Sequence, residues 1–359
     1  MHREALDYRG MYKAAMRQGD AALGNYHRNV RVVAGGESFM VRVAMDDSQV
    51  MDLAVWPEED ILAAIHPHVT HAPRLIFSQR RSGGQGNARA GTGAAESLTL
   101  EPEFQVHSFI EGESIDGLYP HGYEIPVRVS NDIAEFFGEL LRFPQDELPG
   151  LPSDWPTDGD SHGFGRVLLQ FGRLLRGNHG KSSPGLFEML EIPVDPFARL
   201  EDALVTLAAR PFQLLHGDIH RGNMIWGNGQ TFFLDWQLAL WGDPVYDLAD
   251  HVHKMGYEPA DEVRAIHDWV RVAPDRCSRG LGEGLDFYLA YERVKSAVVD
   301  AVRWSHRIAR ETEGSDAQNV AVRQLAEKIN QARPYWGREF TAPLTPARVA
   351  RAVAEGGRG

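Results

Sequence analysis

The chain has 359 residues, enough for about two domains or lobes at roughly 150 residues each, and its 43% hydrophobic and 24% charged residues are ordinary for a soluble globular protein. The 37 basic and 50 acidic side chains leave a net charge of −13, which argues against non-specific binding to nucleic acid or anionic membrane and modestly favours cationic small partners. The single cysteine, Cys277, excludes an intramolecular disulfide and a cysteine-based zinc cluster.

The first ten residues, MHREALDYRG, lack the basic and apolar regions of a secretory signal. No apolar run nears the roughly 20 residues of a membrane span, so a cytoplasmic protein is expected. NVRVVAG (29–35) and ESFMVRVAM (37–45) are rich in β-branched and apolar residues, alternate in places, and flank Gly35-Gly36, the signature of a hairpin. PEEDILAAI (57–65) has an early proline, acidic first-turn residues and apolar residues at helical spacing, which predict a short helix. RLIFS (74–78) and LTLEPEFQVHSFI (98–110) read as strands. Between them, 78–97 holds no aliphatic or aromatic residue larger than alanine, and a mobile insertion within the sheet is expected. Beyond Gly112 the pattern turns helical, with 3.6-residue periodicity over 133–143, 164–177, 196–210, 286–310 and 321–333. Between the third and fourth of these lies a non-helical block, 212–241, with two apolar strand-like pieces. The outline is α+β: a small β-rich lobe over 1–110 and a larger helical lobe over 111–359.

The stretch LLHGDIHRGNMIWGNGQTFFLDWQLALWGDPVYDLADH, residues 214–251, concentrates the polar residues that could do chemistry. Asp218 and Asn223 stand at the two ends of one short loop. A strand after a Gly-Asn-Gly turn then delivers Asp235, which can fold back beside Asn223. An amide oxygen next to a carboxylate suits Mg²⁺, which takes few protein ligands and completes its shell with phosphate and water. A second carboxylate off the metal can orient and deprotonate a hydroxyl, the division of labour seen in phosphoryl transfer.

His216-Gly217-Asp218-Ile219-His220-Arg221-Gly222-Asn223 resembles the H-G-D-x-H-x-x-N loop of aminoglycoside phosphotransferases and their choline-kinase-like relatives in the protein-kinase-like superfamily. Leu234-Asp235-Trp236 resembles the segment that follows it there, and Asp243-Pro244-Val245-Tyr246-Asp247-Leu248-Ala249 the next. The resemblance covers about residues 20–255. It implies a bilobal kinase-like fold, with Asp218 as catalytic base and Asn223 and Asp235 as Mg²⁺ ligands. Gly24, Asn25 and Tyr26 fall where the nucleotide-covering hairpin lies. Arg42 stands where the family carries a phosphate-anchoring lysine, and Glu58 where a helix glutamate pairs with that cation, with Glu59 left open. His107, Ser108, Phe109 and Ile110 resemble the hinge that receives the base of ATP or GTP. His216, His220 and Asp247 take loop-supporting places. Asp243, Trp241 and Asp250 lie near enough to the motif to be candidate substrate-binding residues.

Gly242 follows Asp235 by only seven positions, too few for a peptide-binding activation segment, so a small-molecule hydroxyl acceptor is expected. The carboxylates Asp243, Asp247, Asp250, Glu258, Asp261 and Glu262, with the net −13, suit a cationic acceptor such as an aminoglycoside. Family association adds antibiotics and other natural products, and hence a resistance enzyme. A sugar, nucleoside or amino alcohol is also admitted. Two other classes remain open at this stage: a catalytically silent nucleotide-binding protein, and a protein kinase.

Overall fold

The computed structural model of the chain describes residues 6–18, 22–23, 27–45, 53–80, 103–337, 340 and 342–356. An antiparallel sheet forms the amino-terminal part, in the spatial order Ala22–Leu23, His27–Ala34, Glu37–Ala44, Phe104–Ser108, Leu75–Gln79. The turn between its two long strands is Gly35-Gly36, with φ of 58° and 81°, angles that glycine adopts without a Cβ penalty. Val41 pairs with Val30 on one side and Val106 on the other. With Val32, Phe39, Val43 and Phe104 these residues bury one face against Met11 and Ala15 of the helix Tyr8–Arg17. Because side chains alternate along a strand, Arg42, Gln105 and His107 emerge together on the opposite face.

The predicted helix appears as Glu58–Ile65, and its Ile61, Leu62 and Ile65 pack into the core of the larger lobe rather than against the sheet. That packing sets Glu58 between the sheet and the helical lobe. Of the expected insertion, Ser78 and Gln79 close a strand, while 81–102 lie outside the described residues, as do Gly24, Asn25 and Tyr26.

The larger lobe is mainly helical, built on Val127–Leu140, Ser161–Ser182, Pro244–Met255, Pro259–Val272, Leu281–Arg310, Asp316–Ala332 and Pro346–Gly356. Phe136, Phe164, Phe197, Phe212, Trp236, Trp269, Tyr288 and Tyr291 fill its core. Two small sheets carry the polar block: Gln213–Leu215 with Leu240–Gly242, and Glu113–Ser114 with Met224–Gly227 and Gln230–Phe233. Gly112 brings the end of the hinge onto the second sheet. A Cβ there would stand 2.2 Å from the Trp226 carbonyl oxygen. Among the described residues, no helix is long and apolar enough to cross a membrane.

Two expectations need correction. The helix over 196–210 shrinks to Ala198–Ala203 and a 3-10 turn ending at Thr206. Val205 and Thr206 are β-branched and weak in helices, and Arg210 leaves the helical path to bury its guanidinium against Asp243. The helix Pro244–Met255, not predicted, starts where Asp243 caps it by accepting from Val245 N at 3.1 Å, with Pro244 in the first turn.

Candidate active site

The loop after Gln213–Leu215 is held by backbone geometry before any side chain acts. Gly217 has φ of 73°, and a Cβ there would lie 2.6 Å from the Leu238 carbonyl oxygen, so the position requires glycine. Asp247 accepts from His216 N at 3.0 Å and Gly217 N at 2.8 Å, tying the loop to the helix Pro244–Met255. Burial pushes the Asp247 carboxyl up to about 6, against the pull of those two bonds. His216 is fully buried between Phe136 and Trp236. Its Nδ1 accepts from Asp218 N at 3.3 Å, and burial holds the ring neutral, down to about 4.

Asp218 emerges from this frame with its side chain 17% exposed. One carboxylate oxygen lies 2.6 Å from Lys254 Nζ, and the other accepts from Asn223 Nδ2 at 2.8 Å. Burial alone would raise its pKa, but the Lys254 ammonium, followed by His220, holds the carboxyl well below the usual range. His220 uses Nδ1 to accept from Gly222 N at 3.1 Å and sets Nε2 3.7 Å from Asp218.

Asn223 and Asp235 are neighbours by register. Met224 pairs with Phe233, and Leu234 N donates to the Asn223 carbonyl at 2.8 Å, so Asp235 follows directly beside Asn223. Asp235 takes the left-handed conformation, φ 68°, uncommon for a residue with a Cβ and frequent at functional sites. Its Oδ1 accepts from Arg42 Nη2 at 2.9 Å. Asn223 has its amide nitrogen committed to Asp218, so Oδ1 is the atom that could face a metal ion. An amide oxygen and a carboxylate oxygen at the adjoining ends of paired strands in one hairpin are a hard donor set that fits Mg²⁺.

Arg42 reaches this pair from the sheet. Its Nη1 donates to Glu58 Oε1 at 2.8 Å, and the same oxygen accepts from Trp236 N at 3.1 Å. Glu58 therefore meets Arg42, while Glu59 turns to Arg80 and Gln105. Burial raises Glu58 to about 7 despite its cation. His27 accepts from Arg42 Nη2 at 3.2 Å, and burial, then Arg42, lowers it to about 4.

The residues expected at the hinge differ in their surroundings. His107 is buried, bonded to Gln105 Oε1 at 2.8 Å and held neutral, down to about 3, by burial. Ser108 is taken up by the adjacent strand: its N donates to Arg74 O and its hydroxyl accepts from Arg74 N, both at 2.9 Å. Phe109 and Ile110 are half-buried beyond the last pair of the sheet, and the Arg31 guanidinium covers the Phe109 ring.

The three candidate substrate-binding residues do not line an open site. Asp243 is fully buried, gripped by Arg210 at 2.7 and 2.6 Å and by the Tyr288 hydroxyl at 2.9 Å. Trp241 is buried in its strand, and its carbonyl accepts from Trp155 Nε1 at 2.8 Å. Asp250 is fully buried beside Lys254, 2.9 Å away. Position next to a motif misled here, because the Asp243 and Asp250 side chains face the core. The motif also hid two partners. Lys254 touches Asp218, and Arg221 donates to the carbonyl oxygens of Met255, Tyr119, Pro120 and Tyr123. The i,i+4 spacing of Asp250 and Lys254 signals their own pairing on the helix, not the reach of Lys254 to Asp218. Nothing in the sequence marks the second.

A profile of the phosphotransferase enzyme family matches residues 21–291. The chain belongs to that family. It is therefore a small-molecule phosphotransferase with a hydroxyl group as acceptor, in line with the motifs in 214–251. Solved structures share its fold. An ethanolamine kinase from Plasmodium vivax is 12% identical with a TM-score of 0.55, covering 86% of this chain and 81% of that one. A choline/ethanolamine kinase family protein from Mesorhizobium loti is 12% identical, TM-score 0.50, over 93% and 91%. A thermostable aminoglycoside phosphotransferase variant in ternary complex with ADP and hygromycin B is 13% identical, TM-score 0.50, over 90% and 97%. No curated protein matches the chain.

Proposed function

We propose that the enzyme transfers the γ-phosphoryl group of ATP or GTP to a hydroxyl of a small natural product or metabolite, with Asp218 receiving the hydroxyl proton. The observation that carries the reading is Asp218 bonded to Asn223, with Asp235 next to Asn223 in the hairpin, Arg42 reaching Asp235 from the sheet, and Glu58 reaching Arg42 from the helix Glu58–Ile65. Asn223 Oδ1 and Asp235 would hold Mg²⁺, which supplies charge neutralisation at the phosphates when bound. Arg42 keeps a fixed positive charge at the phosphate position, where a guanidinium can bind phosphate through two N–H groups. The acceptor oxygen attacks phosphorus as the bond to the leaving nucleoside diphosphate breaks, and the acceptor proton passes to Asp218.

The residues after Asp235 support a small acceptor. They turn at once into a 3-10 segment, Trp236–Leu238, and the buried strand Leu240–Gly242, leaving no peptide-binding segment. The case for a cationic, aminoglycoside-like acceptor is narrower than composition suggested. Asp243, Asp247, Asp250 and Asp261 are all buried and bonded or ion-paired inside the fold. Amino sugars and other antibiotics, sugars, nucleosides and amino alcohols all belong in the test. A silent nucleotide-binding role gains no support from Arg42, which makes the glutamate pair expected of an anchoring cation.

The experiment is a panel of these acceptors with ATP and GTP, read by mass spectrometry for the addition of one phosphate. Thermal stabilisation by ATP should require Mg²⁺ and be lost in Asp235→Asn. Stabilisation without transfer to any acceptor would favour the silent role, and transfer only to peptides would favour a protein kinase.

A further inference from the structure

Lys254 belongs to none of the motifs, yet its ammonium is the nearest cation to Asp218. Its Nζ lies 2.6 Å from Asp218 Oδ1, 3.1 Å from the Gly217 carbonyl oxygen and 2.9 Å from Asp250 Oδ1. Two of its N–H groups are donated to the Gly217 carbonyl and the Asp218 carboxylate, and its charge faces Asp250 at ion-pair distance, so Nζ has little freedom. Asp250, one helical turn earlier, is fully buried and has a second cation, Lys295, at 3.8 Å.

The helix Pro244–Met255 thus holds the loop at two points. Asp247 takes the backbone N–H groups that precede Asp218, and Lys254 takes the Gly217 carbonyl and the Asp218 carboxylate. Asn223 binds the other carboxylate oxygen. Lys254 therefore holds one oxygen of Asp218 and Asn223 the other, and a carboxylate fixed at both oxygens cannot rotate freely about χ2. A lysine serving only the buried Asp250 would not need to extend to Asp218. This side chain does so and remains 22% exposed.

We propose that Lys254 is a positioning residue for phosphoryl transfer, fixing the Asp218 carboxylate in line with the acceptor hydroxyl, with Asp250 as the anchor that fixes Lys254. The inference rests on the reading of Asp218 as the group that receives the acceptor proton. Misplacing a reacting group by about 1 Å can cost about 10²-fold in rate, so the effect belongs in kcat and not in nucleotide binding.

The test compares Asp218→Asn, Lys254→Met, Lys254→Arg and the double variant Lys254→Met/Asp250→Asn. Turnover is followed as ADP release from Mg²⁺–ATP, with water as acceptor and with any panel compound that the parent phosphorylates. Lys254→Met should lose about 10- to 10²-fold in kcat while the KM for ATP stays within about twofold, and Lys254→Arg should recover part of the loss. Removing the lysine strands a buried carboxylate, so Lys254→Met also loses stability. The double variant removes that charge and should regain Tm without regaining kcat. If kcat returns together with Tm, Lys254 is only the partner of Asp250 and the inference fails. A crystal structure of Lys254→Met needs no acceptor: Asp218 should leave its bond to Asn223, and an unmoved carboxylate overturns the proposal. Asp218→Asn separates the two claims. Turnover at the parent rate in that variant defeats the reading of Asp218 itself, whereas a dead Asp218→Asn beside an active Lys254→Met defeats only the role of the lysine.

Discussion

Replacing Asp218 by asparagine removes one charge and keeps the side-chain shape, and the structure says where each consequence falls. The two carboxylate oxygens now accept from Lys254 and from Asn223. An asparagine offers one oxygen and one amide NH₂, so one of the two partners must face a donor instead. Losing a hydrogen bond to a charged group costs about 1.5–3 kcal/mol, a modest fall in Tm for a chain this size. The catalytic loss is separate. General base catalysis contributes about 10²–10⁴ in rate, which is about 2.7–5.4 kcal/mol at 1.36 kcal/mol per decade. Arg42, Glu58 and Asp235 make none of their contacts through Asp218, so ATP affinity should stay within about threefold. Stability is read by urea denaturation, affinity by calorimetry with Mg²⁺–ATP, and turnover with the acceptor from the panel. A variant that loses stability as expected but keeps kcat within about tenfold would refute Asp218 as the base, with the fold untouched.

Three further outcomes follow from contacts elsewhere. Arg42→Met strands the buried Glu58 and the partly exposed Asp235, and should cost about 3 kcal/mol and at least about tenfold in ATP affinity. Arg42→Lys should retain one of the two pairs, and normal ATP binding in Arg42→Met would remove arginine from the phosphate site. Gly217→Ala places a Cβ 2.6 Å from the Leu238 carbonyl oxygen at a φ of 73°, so a loss of more than about 2 kcal/mol is expected by urea denaturation, with turnover falling as the loop shifts; an unchanged midpoint counts against the loop geometry. His251 is buried, with Nδ1 donating to the Ile219 carbonyl at 3.0 Å and Nε2 accepting from the Tyr257 hydroxyl at 2.8 Å, and burial lowers it from 6.5 to about 4. It stays neutral when folded, so the unfolded chain takes up its proton first as the pH falls below 6.5. Its contribution is present above that pH and lost towards pH 4, at about 1.4 kcal/mol per pH unit. His251→Gln should flatten the acid limb of stability by that slope, and an unchanged limb would show that other groups set it.

Much of the architecture was legible because local and tertiary demands agreed. The alternation in 29–45 and the glycine pair between its halves specify a hairpin, and the ladder pairs Val30 with Val41 as that pattern requires. The unread elements lacked such agreement. Tyr8–Arg17 buries only Met11 and Ala15, too little for a helical stripe to stand out. Over 196–210 the apolar spacing was real, but the buried pairing of Arg210 with Asp243 draws the chain out of the helix, and no periodicity encodes a contact 33 positions away.

The site divides in the same way. Asp218, Asn223 and Asp235 could be grouped from the sequence because one short loop and one hairpin bring them together over 18 positions. The carboxylates that follow could only be counted. A count treats Asp243, Asp247 and Asp250 alike, as negative charge near the cleft. In the fold, each is consumed by a different internal partner: a guanidinium, two backbone N–H groups, and an ammonium. Which partner each one finds depends on the rotation of the helix Pro244–Met255 about its axis, and Asp243 at its cap and the buried Tyr246 and Leu248 set that rotation. The same rotation brings Lys254 to Asp218. Charge near a motif therefore says little about the acceptor until the helix that bears it has been docked, and here the docking turns an apparent anionic surface into the frame of the base.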